Sequence, residues 1–149
     1  MNSFDKLISW CYNLTLLMLV LSGFGQMPIF SRYYLAKIPG FRWLGEFYTT
    51  HIIHYISAGV MIALTLYVIT DFLLRGRTGR LTATGLVKSI TIACLMVSGA
   101  FLMFNNLSGV YLNHTFISIL NITHLTLCMI LLLLSLYTLI AREKWEIDL

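Results

Sequence analysis

The sequence predicts an all-α integral membrane protein, a bundle of four spanning helices with both termini in the cytoplasm. Three observations carry the prediction. Of 149 residues, 58% are hydrophobic and only 11% charged, and the mean hydropathy is +0.83. The apolar residues gather into four long runs. The charged residues gather between those runs and at the chain ends. A helix rising about 1.5 Å per residue needs roughly 20 apolar residues to cross about 30 Å of hydrocarbon, so four spans use more than half the chain. Residues 1–149 therefore read as a single membrane domain, with little material for a soluble one.

The first span covers residues 7–24 and closes at Ser22-Gly23-Phe24-Gly25, ahead of Pro28, where glycine and proline stop a helix. It lacks a basic leader and an A-x-A cleavage site, so it reads as a retained span. The loop that follows mixes Arg32, Lys37 and Arg42 with Tyr33, Tyr34, Trp43 and Glu46, a composition typical of the membrane boundary. The second span, residues 47–74, is long enough to tilt and is closed by Asp71 and Arg75-Gly76-Arg77. The third covers residues 85–104 and ends at Asn105-Asn106; the fourth covers 116–141 and ends at Arg142-Glu143-Lys144. No internal repeat stands out.

Four spans put the termini and the second loop on one side, with Lys6, Arg75, Arg77, Arg80, Lys88, Arg142 and Lys144, against Arg32, Lys37 and Arg42 on the other. The positive-inside rule assigns the richer side to the cytoplasm. The formal charge of +4 thus reads as a topology signal, and a nucleic-acid partner is not expected. Cys11, Cys94 and Cys128 stand singly in apolar runs, which gives neither a disulfide nor a zinc framework and argues against a thiol oxidoreductase. Spans one and three lack the charged or broken midplane of a transporter.

Ionisable side chains inside spans are costly and mark function. Here the candidates are histidines. His54 and His124 stand at comparable depth in the second and fourth spans, roughly 12 to 15 Å in from the outer helix ends at 1.5 Å per residue. Neutral imidazole is a good iron ligand, and facing helices are a common place for a cofactor, so the pair suits a bis-histidine haem b. Ser57, Ala58 and Gly59 offer small side chains beside a macrocycle. The competing reading makes both histidines packing residues bonded to serine, threonine or backbone carbonyls. His51, one turn out from His54, has three open roles: alternative ligand, contact to a haem propionate, or contact to a quinone head group. His114 reads as a solvated boundary residue.

At these positions the chain resembles the four-helix cytochrome b subunits of membrane-bound formate dehydrogenases and nickel–iron hydrogenases. Asp5-Lys6-Leu7-Ile8-Ser9-Trp10 and Leu21-Ser22-Gly23 are similar to the family's first span, Ile53-His54-Tyr55 up to Gly59 to its second, and Thr123-His124-Leu125 to its fourth. The likeness covers nearly the whole chain, through short motifs. It implies that His54 and His124 hold an outer haem. The family's inner ligands fall on Ser9 and Thr138, which are not usual ligands of haem iron, so one haem b is expected.

The resemblance implies a membrane subunit in the cytoplasmic membrane of a prokaryote, passing electrons between menaquinone or ubiquinone and an extracytoplasmic redox subunit. The expected partners are iron–sulfur, multihaem cytochrome, molybdenum or nickel enzyme subunits, docked on the loop from Arg32 to Glu46. Without an inner haem, quinone is expected to react near His51, Tyr33, Tyr34, Trp43 or Glu46. A haem-free anchor for soluble redox subunits is the alternative.

Overall fold

The computed structural model describes residues 3–27, 37–74 and 82–142. These form four helices, α1 (Ser3–Gly25), α2 (Phe47–Leu74), α3 (Ala83–Asn105) and α4 (His114–Ala141), with a 3-10 turn at Arg42–Gly45 before α2. All four helices are long and apolar enough to cross a membrane. Arg32, Tyr33, Tyr34, the Arg75-Gly76-Arg77 turn, Arg80 and Lys144 lie outside the described residues.

Both later helices start two residues ahead of their apolar runs, because polar caps sit there. The Thr82 hydroxyl accepts a bond from the Gly85 N–H at 3.0 Å and opens α3. Asn113 Oδ1 accepts from the Thr115 N–H at 2.8 Å and opens α4. Each cap satisfies a backbone donor that the first helical turn leaves without an intrahelical partner. At its far end α4 stops on Arg142, whose φ of +53° is left-handed and whose N–H bonds the Thr138 carbonyl. That closure is common at helix C-termini.

The chain divides into two compact units, Met1–Gly76 and Arg77–Leu149. In the first, α1 packs on α2 and the 3-10 turn contacts both; in the second, α3 packs on α4. Each unit is a helical hairpin. Its buried residues are mostly small and polar: Thr15 and Ser22 on α1, Thr50 and Ser57 on α2, Thr91 and Ser98 on α3. Leu44, Met61 and Leu131 are the buried hydrophobic residues among those described. Leu17, Ile56, Leu66, Ile90, Val97, Ile122, Leu133 and Leu139 face outward instead.

This inversion of the soluble pattern follows from the solvent. Lipid is as apolar as leucine, so helices gain by close backbone approach and by satisfying hydroxyls rather than by hiding leucine. The hydroxyls are satisfied within their own helices, Thr50 to the Phe47 carbonyl at 2.9 Å and Thr91 to the Val87 carbonyl at 2.8 Å.

Close approach is tightest at Gly25, where a Cβ would stand 2.9 Å from Thr50 Cγ2 and 3.0 Å from the Leu44 carbonyl oxygen. Backbone cannot yield there as a flexible side chain would. Gly25→Ala is therefore expected to destabilise the first hairpin by about 1–3 kcal/mol, the usual cost of overpacking. Thermal unfolding in detergent checks this: Tm should fall.

Candidate functional site

His54 is the eighth residue of α2 and His124 the eleventh of α4. At 1.5 Å per residue this is about 10 and about 15 Å from the first residue of each helix. Both rings are half-buried against the leading helix of their own hairpin.

His54 Nδ1 lies 3.0 Å from Ser22 Oγ on α1. The same hydroxyl lies 2.6 Å from the Met18 carbonyl oxygen, one turn back. A carbonyl oxygen can only accept, so the serine proton goes to Met18 and the ring nitrogen supplies the second proton. His54 Nδ1–H then donates, so the lone pair of the neutral form of the ring falls on Nε2. Gly23 makes room for the ring: a Cβ there would lie 3.3 Å from His54 Cε1.

His124 is held in the same way. Its Nδ1 lies 2.8 Å from Ser98 Oγ on α3, and that hydroxyl bonds the Leu95 carbonyl at 3.1 Å. With the hydroxyl proton given to Leu95, as in the first hairpin, the His124 ring donates and the lone pair of its neutral form falls on Nε2. A Cβ on Gly99 would lie 3.3 Å from His124 Cε1. Ser98 and Gly99 thus hold the His124 imidazole as Ser22 and Gly23 hold that of His54.

His51 is organised from the same stretch of α1. Its Nδ1 lies 3.2 Å from Gln26 Oε1, and the Gln26 amide nitrogen donates to the Ser22 carbonyl at 3.3 Å. Since that amide group already donates, its oxygen accepts from the His51 ring. Phe47 stacks on His51 with centroids 5.2 Å apart, and Tyr55 lies 4.2 Å away, tilted. Ser22 and Gln26, one turn apart, thus orient His54 and His51. Neither could be singled out in the sequence, where both look like ordinary polar residues near a helix end.

The other candidates are more scattered. Trp43 is half-buried in the 3-10 turn and Glu46 is exposed beside it. Glu46 Oε2 accepts from the Thr49 hydroxyl at 3.2 Å. Tyr33 and Tyr34 lie outside the described residues. Gly59 is exposed with nothing within 4 Å of a built Cβ, whereas Ser57 is buried in the hairpin. His114 is exposed at the start of α4, as expected of a boundary residue.

Lys88 is not the solvated flank that its charge suggests. It is buried, 5% exposed, and its ammonium donates to the Thr138 hydroxyl. Thr138 in turn bonds the Ser135 carbonyl at 3.1 Å. Position 138, where the resemblance expects a missing inner ligand, is thus occupied by a lysine-bound hydroxyl.

Among the described residues no group of three or more His, Cys, Asp or Glu side chains could hold a bare metal ion. A haem does not require one, since the porphyrin supplies four nitrogens and the protein only axial ligands. The donor set fits that need. Histidines that ligate metals almost always donate their other ring N–H to a fixed acceptor, and Ser22 and Ser98 are such acceptors. No family model, curated protein or solved structure matches the chain.

Gly59 gives a discriminating substitution. Nothing in the hairpin opposes a larger side chain there, so Gly59→Leu should leave Tm unchanged or slightly raised, as glycine is a weak helix former. If a macrocycle lies over that face, the same variant should lose bound haem. Thermal unfolding and haem absorbance, measured on one preparation, check both halves.

Proposed function

We propose that this multi-pass membrane protein is a b-type cytochrome subunit of a respiratory redox complex, in which His54 and His124 would hold one haem b. The observation that carries the reading is the state shared by the two rings. Each imidazole sits in a spanning helix with Nδ1 bound to a serine hydroxyl, which directs the lone pair of the neutral ring to Nε2. Iron ligation needs that lone pair, and the serine bond supports the ring that offers it.

Bound haem b supplies reversible one-electron transfer. The chain's own contribution is to orient the two imidazoles, each through a serine of its own hairpin. Gln26 holds the His51 ring through Nδ1–H, which turns Nε2 to the proton chemistry of a quinol hydroxyl in this reading. Trp43 and Glu46 beside the start of α2, with Tyr33 and Tyr34 of the preceding loop, complete the proposed site for menaquinone or ubiquinone. Both termini face the cytoplasm of a prokaryote in this reading. The Arg32 to Glu46 loop receives an iron–sulfur, multihaem cytochrome, molybdenum or nickel enzyme subunit.

The serine bonds favour a second reading as well, because packing histidines form the same bonds. In that reading the chain is a haem-free anchor for soluble redox subunits. The two readings separate in the absorbance of dithionite-reduced protein, where only the cytochrome shows a b-type α-band. In the cytochrome reading His124→Ala abolishes the band while the protein remains in the membrane. His51→Ala keeps the band and slows its reduction by quinol by roughly 10²–10⁴-fold, the usual worth of a positioned acid–base group. An α-band untouched by His124→Ala would refute the ligand assignment.

A further inference from the structure

The two hairpins carry the same residues at the same structural positions. On the leading helices, Thr15 and Ser22-Gly23 of α1 correspond to Thr91 and Ser98-Gly99 of α3, a constant 76 residues apart. Both threonines and both serines are buried. On the trailing helices the separation is a constant 70 residues and pairs His54 with His124, Met61 with Leu131, and Leu64-Thr65-Leu66-Tyr67 with Leu134-Ser135-Leu136-Tyr137. Met61 and Leu131 are the buried hydrophobic residues of their helices. Seven residues separate Thr from Ser, and His from Met or Leu, so each pair lies on one helix face. The change from 76 to 70 falls in the connections between the helices of each hairpin. His51 and Gln26 have no such counterparts: the equivalent positions are Asn121 and Leu102.

We infer that the chain consists of two copies of one histidine-presenting hairpin, and that Ser22 and Ser98 are equivalent positioning residues fixing the Nδ1–H tautomer of His54 and His124. The reasoning rests on matched contacts: serine oxygen to Nδ1 at 3.0 and 2.8 Å, and a glycine whose Cβ would stand 3.3 Å from Cε1 in both hairpins. For its consequence on iron, the inference rests on the proposed haem; for the tautomers it does not.

The chemical consequence has a sign. A ring whose N–H is accepted by a serine oxygen is more basic at Nε2 and stabilises ferric over ferrous iron. Removing either serine should therefore raise the midpoint potential, both by a similar amount, with the double variant close to the sum.

The experiment uses the full chain labelled with 15N-histidine, before and after loading with haem. In the haem-free chain, Ser22→Ala should move the ring 15N shifts of His54 alone, and Ser98→Ala those of His124 alone. Ser22→Thr and Ser98→Thr retain the hydroxyl and should restore the shifts. In the loaded chain, each alanine variant should raise the potential and weaken haem binding by roughly tenfold to a hundredfold. Ser89→Ala, whose hydroxyl bonds only its own helix at the Gly85 carbonyl, should change neither. If an alanine variant does not fold, the threonine variant carries the test, since loss of the wild-type ring shifts there would overturn the inference. Ring shifts indifferent to both serines, or a potential that responds to only one, would overturn it too. A chain that shows the tautomer response but binds no haem would sink the cytochrome reading and leave the duplicated hairpin standing.

Discussion

An imidazole inside hydrocarbon must dispose of its N–H, and in each hairpin a serine on the neighbouring helix accepts it. This bond is the constraint around which the rest of the structure is arranged. A polar donor abandoned in lipid costs several kcal/mol, so the register of α1 on α2, and of α3 on α4, cannot drift without breaking it. The glycine after each serine follows from the same constraint, because the ring can approach only where the leading helix carries no Cβ. The serine hydroxyl is itself tied back to a carbonyl of its own helix, which decides which atom of the ring bears the proton. A packing requirement thereby becomes a chemical specification: in the neutral ring the lone pair falls at Nε2.

The buried surfaces are consistent with that logic. Hydroxyls and small residues line the helix contacts, and the bulky aliphatic side chains stand outside. In water such a distribution would leave the hairpins with almost no driving force. In a bilayer the exposed leucines and isoleucines are solvated by lipid, and the specific polar contacts determine how the helices meet. Lys88 fits the same pattern, since its charge is carried into the hairpin and met by Thr138.

The spans were legible in the sequence because hydropathy alone dictates them; the limits of the second, third and fourth fell within two residues of the helices, while α1 starts four residues ahead of its apolar run. The early starts of α3 and α4 were missed because Thr82 and Asn113 cap through side-chain geometry that hydropathy does not register. His54, His124 and His51 were legible as ionisable groups where none is expected. Their supports were not. A serine or glutamine in an apolar helix can bond its own backbone, so Ser22, Gln26 and Ser98 carry no signal until the ring across the interface is seen. Lys88 was misjudged for the related reason that a lysine near a helix start reads as a flank. The repetition of the hairpin escaped notice because it survives at few positions and shifts register between the leading and trailing helices.

The functional account comes down to whether two serine-held imidazoles receive one iron porphyrin. The most direct measurement is the ratio of haem b to polypeptide in the purified full chain, with haem quantified as its pyridine complex and protein by amino-acid analysis. The account predicts one haem per chain. A chain that purifies folded and cannot be loaded with haem, or one that holds two, would contradict it.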